Sequence, residues 1–187
     1  MAPLERDTCR AFYERTYRER YREDLEIVLS RTPPFVTPED LCDMQRYATE
    51  LDAHVSTSPL FNYPADRPTH TDVWLNNLLI TEDDRWYLLD WDDLQLGDPV
   101  LDVAMVGGPT FDDLERCAIP AAYGELSNAE AERAKLYHRM MLLDWAIDTL
   151  ADWIDAAKRL SDASDYRAKK RDAHERALAL YRDLYAG

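Results

Sequence analysis

Residues 70–102, HTDVWLNNLLITEDDRWYLLDWDDLQLGDPVLD, decide how this chain is read. The apolar run Leu78-Leu79-Ile80 predicts a strand, Thr81-Glu82-Asp83-Asp84 a turn, and Trp86-Tyr87-Leu88-Leu89 a returning strand, which together make a β-hairpin. In an antiparallel hairpin the start of one strand lies beside the end of the other, so Asn77 and Asp90 are expected at the same open end. An amide oxygen and a carboxylate there suit Mg²⁺, a hard ion that takes oxygen ligands and keeps waters or phosphates in its remaining positions. Asp72, five residues before Asn77 on the entering loop, is within reach of a hydroxyl placed next to that ion.

A carboxylate that orients a hydroxyl and takes its proton, beside a metal that neutralises a moving phosphoryl group, is the arrangement of a phosphoryl-transfer site. The spacing His70-x-Asp72-x-x-x-x-Asn77, followed by Asp90 and then Gly97-Asp98-Pro99-x-x-Asp102, resembles the catalytic and metal-binding loops of the aminoglycoside phosphotransferase and choline kinase family, small-molecule relatives of the protein kinases. The resemblance implies that Asp72 is the catalytic base and that Asn77 and Asp90 hold the metal. It also implies that His70, Asp98 and Asp102 brace the loops, and that ATP or another nucleoside triphosphate is the donor. The chain departs from the family at Thr71, where a small residue, often Gly, is usual, and at Trp74, where many members carry His or another polar residue.

Outward from this segment the chain reads as mostly helical. A helix is expected over Leu4–Ser30 with Phe12, Tyr13, Tyr17, Tyr21, Leu25, Val28 and Leu29 as its apolar stripe. A second is expected to start at Thr37, the N-cap, with Pro38 first in the helix, and to bury Leu41, Met44, Tyr47 or Ala48, Leu51 and Val55. After a polar link over residues 56–68 and the hairpin, a short helix is predicted over Pro99–Val106, stopped by Gly107-Gly108-Pro109, and another over Phe111–Cys117. A long one follows from Asn128 to about Leu160, with Leu136, Met140, Leu143, Ile147, Leu150 and Ile154 inward, and a last over Ser164–Tyr185. The predicted fold is α+β and predominantly α-helical, a single kinase-like C-terminal lobe. Within it residues 1–60 form two helices, 61–110 the catalytic and metal loops, and 111–187 a helical substrate side.

With 187 residues and 46% hydrophobic content the chain can bury a real core. A net charge of −15 argues against nucleic acid as a partner. No apolar run approaches membrane-spanning length, the N-terminus is charged from Glu5 with no signal-peptide pattern, and three cysteines lie outside any ligand spacing, so a cytoplasmic protein is expected. His54, His138 and His174 show no partner in sequence and read as structural or surface residues. Asp144, Asp148, Asp152 and Asp155 share one face of the long helix. That face is either a solvated one or, as the family resemblance favours, a binding site for a small hydroxylated substrate bearing amino groups.

No glycine precedes Gly97 and no lysine precedes Lys135, so a glycine-rich phosphate loop and a lysine clamp are missing. The chain therefore resembles the C-terminal lobe with the N-terminal nucleotide-binding lobe absent, and its nucleotide-contacting residues are unassigned. It reads as the catalytic lobe of an ATP-dependent phosphotransferase, incomplete alone, with a partner lobe or homo-oligomer expected. The alternative is a catalytically inactive kinase-derived binding module. Phe12, Tyr13, Tyr17 and Tyr21 are the candidate association surface, because a lobe standing alone exposes apolar area that a partner would cover.

Overall fold

The computed structural model describes residues 7–105, 126–159 and 164–186. The predicted stop at Gly107-Gly108-Pro109, the short helix over Phe111–Cys117, and the ends at Leu4 and Leu160 lie outside them. The chain folds as two compact units, each built from two stretches of sequence: Met1–Phe12 with Ser58–His138, and Tyr13–Thr57 with Arg139–Gly187.

In the first unit, helix α1 (Cys9–Tyr13) begins just after Thr8. The sequence predicted a helix already running by that point, yet Asp7 and Thr8 are not helical. Thr8 instead pairs with Pro64, and its Oγ1 accepts the Ala11 N–H at 3.2 Å, which satisfies one of the amides left open at a helix start. The link predicted over residues 56–68 contains two elements the sequence hid. One is a 3₁₀ turn, Pro59–Phe61, capped by Ser58. The other is strand β1 (Arg67–Thr69), which pairs antiparallel with β4 (Gln95–Gly97). A Cβ at Gly97 would stand 2.6 Å from ring carbons of Phe12, so only glycine lets that ring lie against the strand.

The hairpin forms as predicted from β2 (Leu78–Ile80) and β3 (Trp86–Leu88), with Leu79 opposite Tyr87 and Ile80 opposite Trp86. Its turn closes through Thr81 N–H to Arg85 O at 2.9 Å, with Asp84 at φ 56°. Helix α4 (Val100–Met105) follows β4 directly. The core of this unit gathers Cys9, Phe12, Phe61, Leu101 and Tyr137, with Phe61 and Tyr137 meeting edge to face at 5.4 Å. Burial and the neighbouring Asp98 carboxylate push the Cys9 thiol up to about 12, so it stays protonated.

The second unit is helical: a π-helical turn (Glu14–Arg18), α2 (Glu19–Ser30), α3 (Pro38–Thr57), the part of α5 (Asn128–Arg159) from Arg139, and α6 (Ser164–Tyr185). Tyr13, Tyr17, Tyr21 and Leu25 recur every four residues, and in a regular α-helix each such step drifts about 40° around the axis. The wider π turn, marked by Glu19 N–H bonding Glu14 O, takes up that drift and keeps the stripe inward as far as Val28, whereas Leu29, expected with it, faces outward at 40% exposed. The start of α3 is a reciprocal cap: Asp40 N–H donates to Thr37 Oγ1 at 3.1 Å and Thr37 N–H donates to Asp40 Oδ2 at 3.0 Å.

Phe12, Tyr13, Tyr17 and Tyr21 are all buried, Tyr17 the least so at 2% exposed. They therefore do not form the association surface expected of them. The Tyr13 and Tyr21 hydroxyls meet at 2.9 Å and both donate to buried Asp52, which also takes Arg18 and Arg22. Tyr47 stacks on Tyr181 with centroids 4.4 Å apart, and Arg182 on α6 pairs with Asp40 and Asp43 on α3. His174 is buried and donates from Nδ1 to Ala146 O at 2.8 Å, a satisfied structural histidine.

Candidate active site

The loop leaving β1 is fixed by three side chains. His70 is buried, and its Nδ1 accepts the Asp72 N–H at 3.2 Å. That makes Nε2 the protonated nitrogen, donating to Leu89 O at 2.9 Å and tying the loop to the end of β3. The Trp91 ring meets the imidazole edge to face at 4.6 Å. Asp102, in the first turn of α4, accepts the N–H groups of His70 and Thr71, each at 2.9 Å. Burial raises its carboxyl above the ordinary range, and those two N–H groups partly offset the rise.

Thr71 sits at φ 67°, a left-handed conformation costly for a β-branched residue. Its backbone is held there by Asp102 and its Oγ1 donates to Asp93 O at 3.1 Å. Thr71→Val removes that bond and keeps the strain, whereas Thr71→Gly removes both. The glycine variant is expected to be the more stable of the two by about 1–2 kcal/mol. Urea unfolding of the pair checks this, and a valine variant as stable as the glycine one would show that the turn carries no strain.

Asn77 closes a 3₁₀ turn (Leu75–Asn77) and reaches back along the loop. Its Nδ2 donates both to the Asp72 carbonyl at 2.9 Å and to the Asp72 carboxylate at 2.7 Å, which fixes the rotamer of that half-buried aspartate. Asn77 O accepts the Leu89 N–H at 2.7 Å, so Asn77 faces the residue immediately before Asp90. Asp90 is exposed and turns the chain at φ 59°, a conformation that Asp tolerates better than most residues.

The structure thus brings Asp72, Asn77, His70 and Asp102 into one bonded loop. Among the described residues no hydrogen bond joins Asn77 to the Asp90 side chain, and no three His, Cys, Asp or Glu side chains converge as a metal site. The donor set that remains, the Asn77 Oδ1 left over when its nitrogen bonds Asp72 and the Asp90 carboxylate, is oxygen only. It fits Mg²⁺, which takes few protein ligands and keeps water or phosphate in its other positions.

Asp98 is placed differently from the loop residues. Its carboxylate accepts the Val100 N–H at 3.2 Å at the start of α4 and pairs with Arg133 of α5, both side chains being about 5% exposed or less. Arg133 also donates to Leu60 O at 3.5 Å. Sequence reading missed Arg133 because it stands 35 residues from its partner with no local motif around it.

A model of the Phosphotransferase enzyme family matches residues 2–143 of the chain. This chain belongs to that family. No curated protein matches it. Among solved structures, a choline/ethanolamine kinase family protein from Mesorhizobium loti is similar at 24% identity with a TM-score of 0.56, covering 88% of this chain and 58% of that one. The chain therefore shares a kinase-like fold with that protein and spans a little over half its length. In this phosphotransferase-family chain the matched region contains His70 to Asp102, the whole bonded loop.

The aspartate stripe lies in the second unit and is not the open solvated face that was one of the two expectations. Asp144 is buried and ion-paired with Arg20, whose Nε also donates to it at 3.2 Å. Asp152 is paired with Lys170 and accepts from Tyr166 at 3.2 Å. Asp148 sits between them, half-buried, with its carboxyl pushed up to about 6 by burial and then by Asp144 and Asp152.

Proposed function

We propose that this chain carries the phosphoryl-transfer site of a small-molecule phosphotransferase. In this reading Asp72 orients a substrate hydroxyl and accepts its proton, while Asn77 and Asp90 would hold Mg²⁺. Mg²⁺ held there would neutralise charge on the γ-phosphoryl group, for which ATP would be the donor. The observation that carries the reading is the double bond from Asn77 to Asp72, at 2.9 and 2.7 Å. It presents a carboxylate in one orientation next to an amide oxygen, on a loop that His70 and Asp102 hold still. Such positioning is where most of the catalysis in this chemistry comes from.

The substrate we infer is small and hydroxylated. Asp144 and Asp152, expected to favour an amino-bearing substrate, already carry Arg20 and Lys170. ATP is expected to bind the isolated 187-residue chain weakly and to be turned over barely or not at all, because no lysine precedes Lys135 to clamp its phosphates. Asp72→Asn is expected to lower that turnover about 10²- to 10⁴-fold.

Mn²⁺, a paramagnetic stand-in for Mg²⁺, tests the site without relying on turnover. Titrated into the labelled chain, it is expected to broaden the amide resonances of Asn77, Leu89 and Asp90 first, and Asp90→Asn is expected to abolish the effect. Broadening confined to other carboxylates, or unchanged in Asp90→Asn, would remove the metal site from this hairpin and leave the reading of a non-catalytic module.

A further inference from the structure

We draw no further inference here: the strongest candidate, the open groove of about 320 Å³ between α2 and α3 with Leu25, Leu29 and Ala48 along it, carries nothing, because Arg22 at its edge is already paired with Asp52 and nothing in the structure shows what covers it.

Discussion

Arg133→Ala is expected to lower the free energy of unfolding by about 3–5 kcal/mol, the largest loss from any single truncation considered for this chain. Removal of the guanidinium leaves Asp98 as a buried charge with no cation beside it, and desolvating an unpaired carboxylate costs more than the ion pair itself contributes. Asp98 also holds the start of α4, so the damage reaches Asp102 and, through it, the N–H groups of His70 and Thr71. Arg133→Met with Asp98→Asn keeps the acceptor for Val100 N–H and removes both charges. That double variant is expected within about 1–2 kcal/mol of the parent. Urea unfolding at neutral pH, followed by tryptophan emission, measures both. A loss below about 1 kcal/mol for Arg133→Ala would mean that water reaches Asp98.

The second large effect is on pH dependence, in the second unit. Burial and then Asp148 and Asp144 push Asp24 up to about 6, and burial with Asp144 and Asp152 does the same for Asp148, against partial relief from Arg20 and Lys170. A carboxyl that titrates near 6 when folded and near 3.8 when unfolded binds more protons in the folded state throughout that interval. Stability therefore falls as pH rises from about 4 through 6, the opposite of the usual carboxylate behaviour. Asp40 and Asp43, held low by Thr37, Arg46 and Arg182, act in the usual sense and lose their contribution as pH falls. Comparison of Asp148→Asn with the parent isolates the first group. The variant is expected to be more stable at pH 8 by about 1–3 kcal/mol, a rise of roughly 3–8 °C in Tm, and little changed at pH 4.5. A variant less stable than the parent at pH 8 would show that Asp148 is held by a favourable partner.

What the sequence revealed and what it hid divide by range. The hairpin, the Thr37 cap on α3 and the extents of α5 and α6 are written in neighbouring residues, by alternation, capping chemistry and helical period. The bond from Asn77 to Asp72 is also local, five residues apart. The β1–β4 pair was hidden because its strands are three residues long, one contains Pro68, and the stabilising partner is nearly thirty residues away. Helical period puts Asp144, Asp148, Asp152 and Asp155 on one face of α5. It carried no information on what lies across from that face, because Arg20 stands 124 residues before Asp144 and Lys170 stands on another helix. The tyrosine stripe of the first helix was equally legible as a stripe. Only packing distinguishes an inward stripe from an interface, and the π turn that keeps it inward leaves no mark in composition.

Both units are discontinuous in sequence, and this sets a timetable for synthesis. The α2–α3 pair emerges early but finds its partners only in the later part of α5 and in α6, after the roughly 80 residues between Thr57 and Arg139 have been made. At about 5–20 residues per second the ribosome holds that pair unpartnered for some 4–16 s. For this interval Tyr21, Leu25, Met44 and Leu51, all buried in the finished protein, have no completed core to enter. The first unit, whose last residue is His138, can close ahead of the second, so the site-bearing part of the protein is free to mature while its helical companion is still waiting for its final strands of contact.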